Sequence, residues 1–296
     1  MQKLHVSKHT ALLTCLFEQL APLKKTKIKQ ILKYGSVRVN GHVVTLHRHE
    51  LNPGDTLEIL SQNDAKFEQY KKQLDFKIID EDRDVIVVEK PSGLLTMGTE
   101  LEKEKTLYFM LTEYVRAKEK DGRARISIVH RLDRDASGLV VFAKNEAAKQ
   151  TLQENWDQAV KKYYAVTEGT PEKSAGILES YLCEDDFKRV FSTSKNAPGA
   201  KQAITHYKVL RTGKSYALSE VILETGRKNQ IRVHLADLGN PIAGDAKYGA
   251  KTTPLNRLAL HAFYLSFIHP VTKDLKTYES KLPDSFKKLV SASSPT

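Results

Sequence analysis

Residues 126–144, ISIVHRLDRDASGLVVFAK, place a histidine, two arginines and two aspartates between two apolar runs. The runs ISIV and GLVVFA have the length and β-branched content of short buried strands. The charged residues therefore lie on a connection that a rigid scaffold holds at both ends and presents to solvent. Arg131 and Arg134 flank Asp133, and positive neighbours favour the ionised form of a carboxylate. An ionised, oriented carboxylate can act as a nucleophile or as a general base.

Two other interpretations of this stretch stay open at this point. A polar surface turn whose charges neutralise one another would have the same composition. Asp133 and Asp135 could also form the pair of carboxylates that hydrolysis of glycosidic bonds often uses. The distance between residues two apart in a turn is not fixed by the sequence, so the spacing does not decide between these interpretations.

The chain carries 47 Lys and Arg against 36 Asp and Glu in 296 residues, a formal net charge of +11. A basic folded protein most often binds a polyanion, and we expect nucleic acid. The two cysteines, Cys15 and Cys183, form no Cys-x-x-Cys motif, which argues against a disulfide framework or a zinc knuckle. No apolar leader and no run of about 18 apolar residues occurs, so we expect a soluble cytoplasmic protein without membrane contact.

The first 60 residues hold nine Lys or Arg against four Asp or Glu, an excess of five. In KKTKIKQILKYG, the side chains of Ile28, Ile31 and Leu32 share one face of a predicted helix. Asn40-Gly41 within SVRVNGHVV is a strong hairpin signal, and NPGD turns the chain into the strand TLEIL. The N-terminus is therefore predicted to be a basic helix followed by a small sheet.

Strand-like runs recur after a polar stretch, SQNDAKFEQYKKQL, that is typical of a linker. They are FKIID, DVIVVEK, ARISIVH, GLVVFAK, YYAVTEG, ITHYKVL, YALSEVILE and RLALHAFYLSF. The runs TLYFMLTEYVRAKEK and NEAAKQTLQENWDQAVKK between them are predicted helices. This pattern predicts a mixed α+β domain built on a sizeable sheet.

A second charged stretch, VILETGRKNQIRVHLADLGNP, predicts a strand and then a helix that ends at Gly239. Arg227, Lys228 and Arg232 lie around the start of this helix, where a cation opposes the macrodipole by about 0.3–1 kcal/mol and an anion is favoured. We therefore expect a negative group beside them, either the Asp133 carboxylate, an RNA phosphate or both. Arg232 is the expected partner, because a guanidinium can donate two parallel hydrogen bonds to a carboxylate. Arginines solvated on an exposed turn are the alternative.

In KKYYAVTEG, Tyr163 and Tyr164 are adjacent in a strand and so face opposite sides of its sheet. One of the two is expected to pack in the core. A tyrosine in a basic cleft can stack on a base or supply a hydroxyl for proton transfer. A packed strand aromatic without a functional role is the alternative.

The ordered motifs resemble two known families. The helix followed by YGSVRVNGHVV and LNPGDTLEIL resembles the S4 RNA-binding domain over roughly residues 20–60. Residues 75–286 resemble the RluA family of RNA pseudouridine synthases in IIDEDRDVIVVEKPSGLLT, HRLDRDASGLVVFAK, KKYYAVTEG, GAKQAITHY, TGRKNQIRVHLADLGNPIAGDAKYG and RLALHAFYLSFIHP. This combination of domains is similar to the synthases that modify large-subunit ribosomal RNA.

The resemblance implies an α+β catalytic domain with a large mixed, mainly antiparallel sheet flanked by helices and loops, beside a small α+β S4-like domain. We expect the S4-like RNA-binding domain at residues 1–60, a linker at 61–74, the catalytic domain at 75–286 and a C-terminal tail at 287–296. The chain is expected to be a monomer.

The resemblance also implies a function, the isomerisation of specific uridines to pseudouridine in structured RNA. We expect 23S ribosomal RNA as the substrate, with tRNA as the alternative, and neither a cofactor nor a metal. The family's catalytic aspartate falls on Asp133, its active-site tyrosine on Tyr163 and its carboxylate-pairing arginine on Arg232. Residues expected to bind substrate are His130, Arg131, Arg227 and Gln230 in the catalytic domain, and Lys27, Lys33 and Arg38 in the S4-like domain.

Two positions depart from the family pattern. Ala136 stands where the family usually has threonine, and Asn229 stands where it usually has histidine. We expect both to affect positioning and target choice rather than activity. The competing functions are a non-catalytic RNA-binding or ribosome-assembly protein on the same fold, and an N-glycosidic hydrolase that uses Asp133 with Asp135 and releases free uracil.

Overall fold

The computed structural model describes residues 2–61, 71, 74–119 and 123–291. The chain forms two compact units, Met1–Leu74 with Met110–Arg125, and Asp75–Phe109 with Ile126–Thr296. Most of the predicted linker at 61–74 lies outside the described residues. None of the helices within the described ranges has the length and apolar content needed to cross a membrane.

The first unit contains β1 (Gln2–His5), β2 (Thr10–Ala11), α1 (Leu12–Gln19), α2 (Lys25–Lys33), β3 (Val37–Val39), β4 (His42–Val43), β5 (Glu50–Leu51) and β6 (Thr56–Ile59). Strands β1, β6, β3 and β4 form one sheet in that order, and β2 pairs with β5. The predicted basic helix is confirmed, since α2 buries Ile28 and Leu32. The hairpin is confirmed too, because Asn40 and Gly41 have φ angles of 49° and 83° and so join β3 to β4 by a tight turn.

The second unit contains one large sheet and the helices packed on it. Its strands are β7 (Lys77–Glu81), β8 (Val85–Lys90), β9 (Ser127–Ile128), β10 (Ser137–Ala143), β11 (Val160–Glu168), β12 (Ala175–Glu184), β13 (Val190–Thr193), β14 (Lys201–Thr212), β15 (Tyr216–Leu223), β16 (Leu260–Ile268) and β17 (Leu275–Glu279). The helix α3 (Leu107–Glu119) begins in this unit and continues into the first. The other helices are α4 (Glu146–Glu154), α5 (Gln230–Asp237) and α6 (Asp284–Val290), with 3-10 turns at Trp156–Gln158 and Ala246–Tyr248.

The sheet of the second unit has the strand order β13-β12-β14-β15-β11-β16-β10-β8-β7, with β17 on β16 and β9 on β10. Among its described strands, β10 and β16 are the one parallel neighbour pair, and the other pairings are antiparallel. The predicted mixed, mainly antiparallel sheet of an α+β fold is therefore confirmed. Every residue of β10 is buried, which explains the apolar run that follows Ser137.

Gly138 is the residue that allows β10 to lie so close to β16. Its φ angle is +118°, and a Cβ atom there would lie 2.1 Å from the carbonyl oxygen of Ala262. No other residue type fits this contact. The loop that carries Asp133 ends at β10, so this close approach fixes the C-terminal end of the loop in the middle of the sheet.

The predicted domain boundaries differ from the structure in two places. Helix α6 runs to Val290, which is buried, so the predicted tail at 287–296 begins four residues too early. Residues 110–125 fall inside the predicted catalytic domain but belong to the first compact unit. A helix in mid-chain carries no local signal of the compact unit to which it belongs.

Candidate active site

Asp133 lies on the loop between β9 and β10, and the loop that follows β8 fixes the backbone on each side of it. Thr96 Oγ1 donates to the carbonyl oxygen of Leu132 at 2.8 Å and accepts the backbone N–H of Leu132 at 3.2 Å. On the other side, the Arg134 carbonyl accepts the backbone N–H of Gly93 at 2.9 Å. The Asp133 side chain, 26% exposed, is thereby held at the surface of a rigid loop.

Lys90, at the end of β8, is fully buried and donates hydrogen bonds that support the same loop. Its Nζ donates to the carbonyl oxygens of Pro91, Leu94 and Arg134 at 2.9, 2.7 and 2.9 Å. Only the charged ammonium has three N–H donors for three acceptors. Burial lowers the pKa of Lys90 to about 7, although the nearby Asp135 carboxylate raises it. Lys90 is not among the residues predicted from the sequence, where its signal is a lysine at the end of the apolar strand DVIVVEK.

Arg232, on α5, contacts Asp133 but is anchored by a different carboxylate. Its Nε and NH2 groups donate to the two oxygens of Asp245 at 2.7 Å each, whereas NH1 lies 3.3 Å from Asp133 Oδ2. The predicted pairing of Arg232 with Asp133 is present as one hydrogen bond, but the expected bidentate contact is wrong, because Asp245 occupies that edge of the guanidinium. Burial disfavours the charged form, but hydrogen bonds and the charge of Asp245, and then of Asp133, raise the pKa of Arg232 above its ordinary value.

Asp245 is a residue of the candidate site that sequence reasoning missed. Its side chain is 1% exposed, so the buried carboxylate needs the cation that it pairs with. The preceding Gly244 has a φ angle of +83°, and a Cβ atom there would lie 2.2 Å from the carbonyl oxygen of Arg257. The Gly-Asp sequence in IAGDAKYG was the available signal, because a glycine that allows such close approach places the next side chain inside the protein.

Asn229 and Tyr248 complete the surroundings of Arg232. Asn229 precedes α5 in the left-handed conformation, with φ 54°, which asparagine tolerates better than most residues. Its Oδ1 accepts a hydrogen bond from Arg232 NH1 at 3.2 Å, and its Nδ2 donates to the Tyr248 hydroxyl at 2.9 Å. The Tyr248 ring lies under the guanidinium, 4.9 Å from it. The left-handed backbone and these two hydrogen bonds explain why asparagine is suitable at the position where the family usually has histidine.

The two tyrosines of β11 face opposite sides of the sheet, as predicted. Tyr164 stacks on Phe263 with ring centroids 3.8 Å apart. Tyr163 is 7% exposed and lines the same cleft as Asp133. Burial, and then the negative charge of Asp133, raise the pKa of Tyr163 above its ordinary value. At neutral pH Tyr163 is therefore a phenol that can donate a hydrogen bond and present its ring.

The cleft brings together most of the residues predicted for the catalytic centre. It is lined by Arg131, Leu132, Asp133, Ala136, Tyr163, Leu223, Arg227, Asn229, Gln230, Ile231, Arg232 and Leu260. Asp135 instead lines a second cavity of about 680 Å³, which shares Arg232 with the first. Because the two aspartates line different cavities, the geometry argues against a hydrolase that uses them as a pair.

Three of the four residues predicted to bind substrate in the catalytic domain line the cleft. Arg131 and Arg227 line the cleft with exposed side chains. Gln230 also lines it but is 2% exposed. Its Oε1 accepts the backbone N–H of Arg227 at 3.0 Å, and its Nε2 donates to Thr205 Oγ1 at 2.9 Å. Gln230 therefore shapes the wall of the cleft and has little capacity left for a ligand.

His130 is not among the described residues that line the cleft, and its contacts within the protein argue against the predicted contact with substrate. Its ring stacks on Trp156 at 4.6 Å, and its Nε2 accepts the backbone N–H of Val141 at 3.1 Å. Burial, and then the charge of Lys161, lower the pKa of His130 to about 3. The neutral imidazole is a packing residue under the loop.

The three residues predicted to bind RNA in the first unit lie on α2 and β3. Lys27 and Lys33 are exposed at opposite ends of α2. Arg38 is half-buried on β3, where it faces Glu58 of β6 across the ladder. The two lysines are thus available to a phosphate, whereas the position of Arg38 favours a role within the sheet.

Asp82, Asp84 and His269 are close enough to hold a metal ion, with candidate ligand atoms within 4.8 Å of one another. The hydrogen bonds of His269 favour a different role. Its Nδ1 accepts the backbone N–H groups of Val271 and Thr272 at 3.3 and 3.0 Å, so its proton is on Nε2, which donates to Asp82 at 2.9 Å. Neither ring nitrogen keeps a free lone pair for a metal. The cluster joins the β7–β8 turn to the end of β16.

Comparisons with known proteins agree with this geometry. The family model described as RNA pseudouridylate synthase matches residues 84–237, a range that contains Asp133, Tyr163 and Arg232. YlyB, an uncharacterized RNA pseudouridine synthase of Bacillus subtilis, is 34% identical over 90% of this chain and 88% of its own length. The ribosomal large subunit pseudouridine synthase D of Pasteurella multocida is 31% identical over 94% of this chain and 89% of its own length. The solved structure of human RNA pseudouridylate synthase domain containing 4 has a TM-score of 0.60 and 26% identity, covering 76% of this chain and 94% of that one.

Proposed function

The chain belongs to the RluA family of RNA pseudouridine synthases, and we propose that it isomerises specific uridines of 23S ribosomal RNA with Asp133 as its catalytic carboxylate. The observation that carries this assignment is that Asp133 lines one cleft together with Tyr163 and Arg232 and accepts a hydrogen bond from Arg232. Within this cleft, Asp133 is the carboxylate that contacts the guanidinium by a single hydrogen bond and keeps one oxygen for a substrate.

The reaction rearranges one nucleotide without any change in composition. The bond between N1 of uracil and C1′ of the ribose breaks, the base turns, and a bond forms between C5 and C1′. C5 loses a proton and N1 gains one, so no oxidant, reductant or energy source is needed. Asp133 can attack C1′, attack the base, or remove a ribose proton to give a glycal, and each route needs a negatively charged oxygen at the position that Asp133 occupies.

Tyr163 and Arg232 have separate tasks in this proposal. The raised pKa of Tyr163 keeps its proton in place at neutral pH, so the ring and the hydroxyl hold the uracil while the base turns. The same raised pKa argues against uptake of the C5 proton by Tyr163, because a phenolate would first have to form beside the negative charge of Asp133. Arg232, anchored on Asp245, supplies the positive charge that Asp133 contacts.

The target uridine must leave its stack before it can enter the cleft. Unstacking costs a few kcal/mol and is easiest in loops and bulges. Arg131 is exposed at the mouth of the cleft, next but one to Asp133, and we propose that it fills the space that the uridine vacates. The enzyme is thus expected to prefer uridines in irregular regions of a folded RNA.

Ribosomal RNA is the proposed substrate because of the N-terminal unit and the relatives. The basic α2 of the S4-like unit exposes Lys27 and Lys33, which can bind phosphates and orient a large RNA without reading its bases. Several similar proteins, from Pasteurella multocida, Haemophilus influenzae and Vibrio cholerae, are named ribosomal large subunit pseudouridine synthase D. We place the enzyme in the cytoplasm, where 23S ribosomal RNA is assembled.

The direct test is Asp133→Asn, assayed on 23S ribosomal RNA and tRNA transcripts with pseudouridine scored by site. We expect a loss on the order of 10³-fold or more, as when a nucleophile is removed. Asp135→Asn is the matched control and should lose much less, since Asp135 lines the other cavity. Product at the wild-type rate from Asp133→Asn would contradict the assignment. Release of free uracil by the wild-type protein would indicate a hydrolase. Modification of tRNA alone by the wild-type protein would replace 23S ribosomal RNA as the substrate.

The role of the N-terminal unit is tested by the salt dependence of RNA binding. Replacement of Lys27 and Lys33 by glutamine should weaken binding and reduce the slope of log K against log salt by about 0.7–0.9 for each lost phosphate contact. Lys3 and Lys8, which pair with carboxylates at 3.1 and 3.0 Å, provide control variants on the same unit. An unchanged slope would contradict the proposed phosphate contacts.

A further inference from the structure

The β12–β13 hairpin carries an aromatic side chain that the fold does not bury. Phe187, in the turn at residues 185–189, is 91% exposed. Hydrogen bonds order this turn: Lys188 donates its backbone N–H to the Asp185 carbonyl at 3.0 Å, and Arg189 donates its backbone N–H to the Asp185 carboxylate at 2.8 Å. A well-ordered turn therefore presents the ring to solvent.

Tyr248 joins this turn to the catalytic cleft. Its hydroxyl accepts the backbone N–H of Val190, the first residue of β13, at 3.3 Å. The Arg189 guanidinium lies 5.9 Å from the Tyr248 ring, and Arg232 lies 4.9 Å from it. One aromatic ring is thus shared between the base of the hairpin and the arginine that contacts Asp133. The base of the hairpin is therefore separated from an arginine of the cleft by one aromatic ring, and RNA that flanks a uridine bound in the cleft could reach the turn.

The charges around the ring nearly cancel. Lys188, Arg189, Lys228 and Lys247 lie near Glu184, Asp185 and Asp186, which leaves a formal excess of one positive charge. Glu184 pairs with Lys228, and the Asp185 carboxylate is used within the turn. Phosphate attraction is therefore weak here, and the ring itself is the feature that can bind a partner.

We propose that Phe187 stacks on an unpaired base of the RNA substrate next to the uridine that enters the Asp133 cleft. Phe191, on β13, is 41% exposed, but the two rings together still offer far less than the roughly 800 Å² that each partner of a stable protein–protein interface buries. One ring is enough for a base, because every base has a π face and aromatic side chains are the usual platform for unpaired nucleotides. The identity of the ligand as RNA rests on the proposed function.

The test measures equilibrium binding of the full chain to an oligouridylate of about ten nucleotides, within the roughly 4–16 that a single-strand site covers, and to a 23S ribosomal RNA transcript. Phe187→Ala should weaken binding by about 5- to 150-fold, the range for loss of one base-stacking platform. The slope of log K against log salt should not change, because no phosphate contact is lost. Since the ring does not touch the reacting atoms, KM for the transcript should rise while kcat stays the same.

Three further variants separate stacking from other causes. Phe187→Trp should bind as well as the wild type, whereas Phe187→Leu keeps an apolar side chain but should bind as weakly as Phe187→Ala. Ile177→Ala, at a 64% exposed position near the other end of β12, should have no effect. Unchanged binding by Phe187→Ala would overturn the inference. Wild-type binding by Phe187→Leu would overturn it too, because an apolar side chain without a π face would then be sufficient. Neither result depends on product formation, so either can occur while the Asp133→Asn test still succeeds.

Discussion

Arg232 and Asp245 form a buried ion pair at the candidate active site, with Nε–Oδ2 and NH2–Oδ1 distances of 2.7 Å. The Asp245 side chain is 1% exposed and that of Arg232 is 12% exposed. Two parallel hydrogen bonds fix the plane of the guanidinium, so that its remaining amino group, NH1, points to Asp133. Asp245 therefore acts on Asp133 through Arg232, as a positioning residue.

The first prediction concerns Asp245→Asn. The amide keeps one acceptor but turns an NH2 group towards the guanidinium, which leaves Arg232 as a buried cation without a full partner. We expect the free energy of unfolding to fall by about 3–5 kcal/mol, the usual cost of breaking a buried pair on one side. We also expect kcat to fall by about 10- to 100-fold, as for the outer partners of other active-site groups. Urea denaturation and single-turnover pseudouridine formation measure the two effects, and an unchanged kcat would show that Arg232 needs no anchor.

The second prediction concerns Lys90→Met, which keeps the length of the side chain and removes its charge. Three carbonyl oxygens lose their shared donor, at a cost of about 1–3 kcal/mol or more in the free energy of unfolding. Because one of these carbonyls belongs to Arg134, next to Asp133, kcat should fall as well. Lys144→Met is the matched control, since the Lys144 side chain is 6% exposed and pairs with Glu81. The control should lose stability but keep kcat below its melting temperature, and equal kcat values for the two variants would contradict the role of Lys90.

Local signals allowed part of the fold and the site to be predicted. Asn40-Gly41 can adopt the two positive φ angles of a tight hairpin, and few other pairs can. The charged loop between two apolar strands makes Asp133 a candidate, and the resemblance to the RluA family is what selects it from the alternatives. The run NEAAKQTLQENWDQAVKK shows where local signals fail, since its helix ends at Glu154 and Val160 already belongs to β11. Strand pairing across the sheet ends this helix, and that contact is not local.

Side-chain direction explains the remaining errors in the site. His130 and Asp133 are three residues apart in one charged loop, but His130 packs on Trp156 and Asp133 lines the cleft. An irregular loop has no period from which the sequence could predict these opposite directions. Asp245 was missed for a related reason, because it joins the candidate site only through contact with Arg232, 13 positions earlier in the chain.

The third prediction concerns the pH dependence of stability at His130. Its pKa is about 3 in the folded protein, against 6.5 ordinarily, so between these values the unfolded chain binds more protons. The free energy of unfolding should therefore fall on acidification from pH 6.5 towards 3, by at most about 1.4 kcal/mol per pH unit for this group. His130→Gln can still accept the Val141 N–H and should show a flatter pH dependence, measured by urea denaturation at pH 4 to 7. His261, whose pKa burial lowers to about 4, leaves a residual slope in both proteins, and identical slopes would contradict the contribution of His130.

The fourth prediction concerns the pair Asn229 and Tyr248. Asn229→Gly keeps the left-handed backbone, with φ 54°, and removes the amide that links Arg232 NH1 to the Tyr248 hydroxyl. Tyr248→Phe removes that hydroxyl and keeps the ring under the guanidinium. If the amide acts as a bridge, each change frees Arg232 NH1 to the same extent. We expect kcat to fall by about 3- to 10-fold in each single variant, equivalent to roughly 0.6–1.4 kcal/mol, with little change in KM.

The double variant distinguishes a bridge from two independent packing effects. A bridge is lost completely when either end is removed, so Asn229→Gly with Tyr248→Phe should be no slower than the slower single variant. The coupling free energy of the cycle should then be at least about 0.5 kcal/mol, the lower bound for residues in direct contact. Additive losses in kcat would mean that the two side chains act separately. Asn229→His introduces the residue that is usual in the family. If its ring nitrogen accepts a hydrogen bond from Arg232 NH1, kcat should be higher than in Asn229→Gly and close to that of the wild type. If the side chain only fills space, kcat should stay as low as in Asn229→Gly.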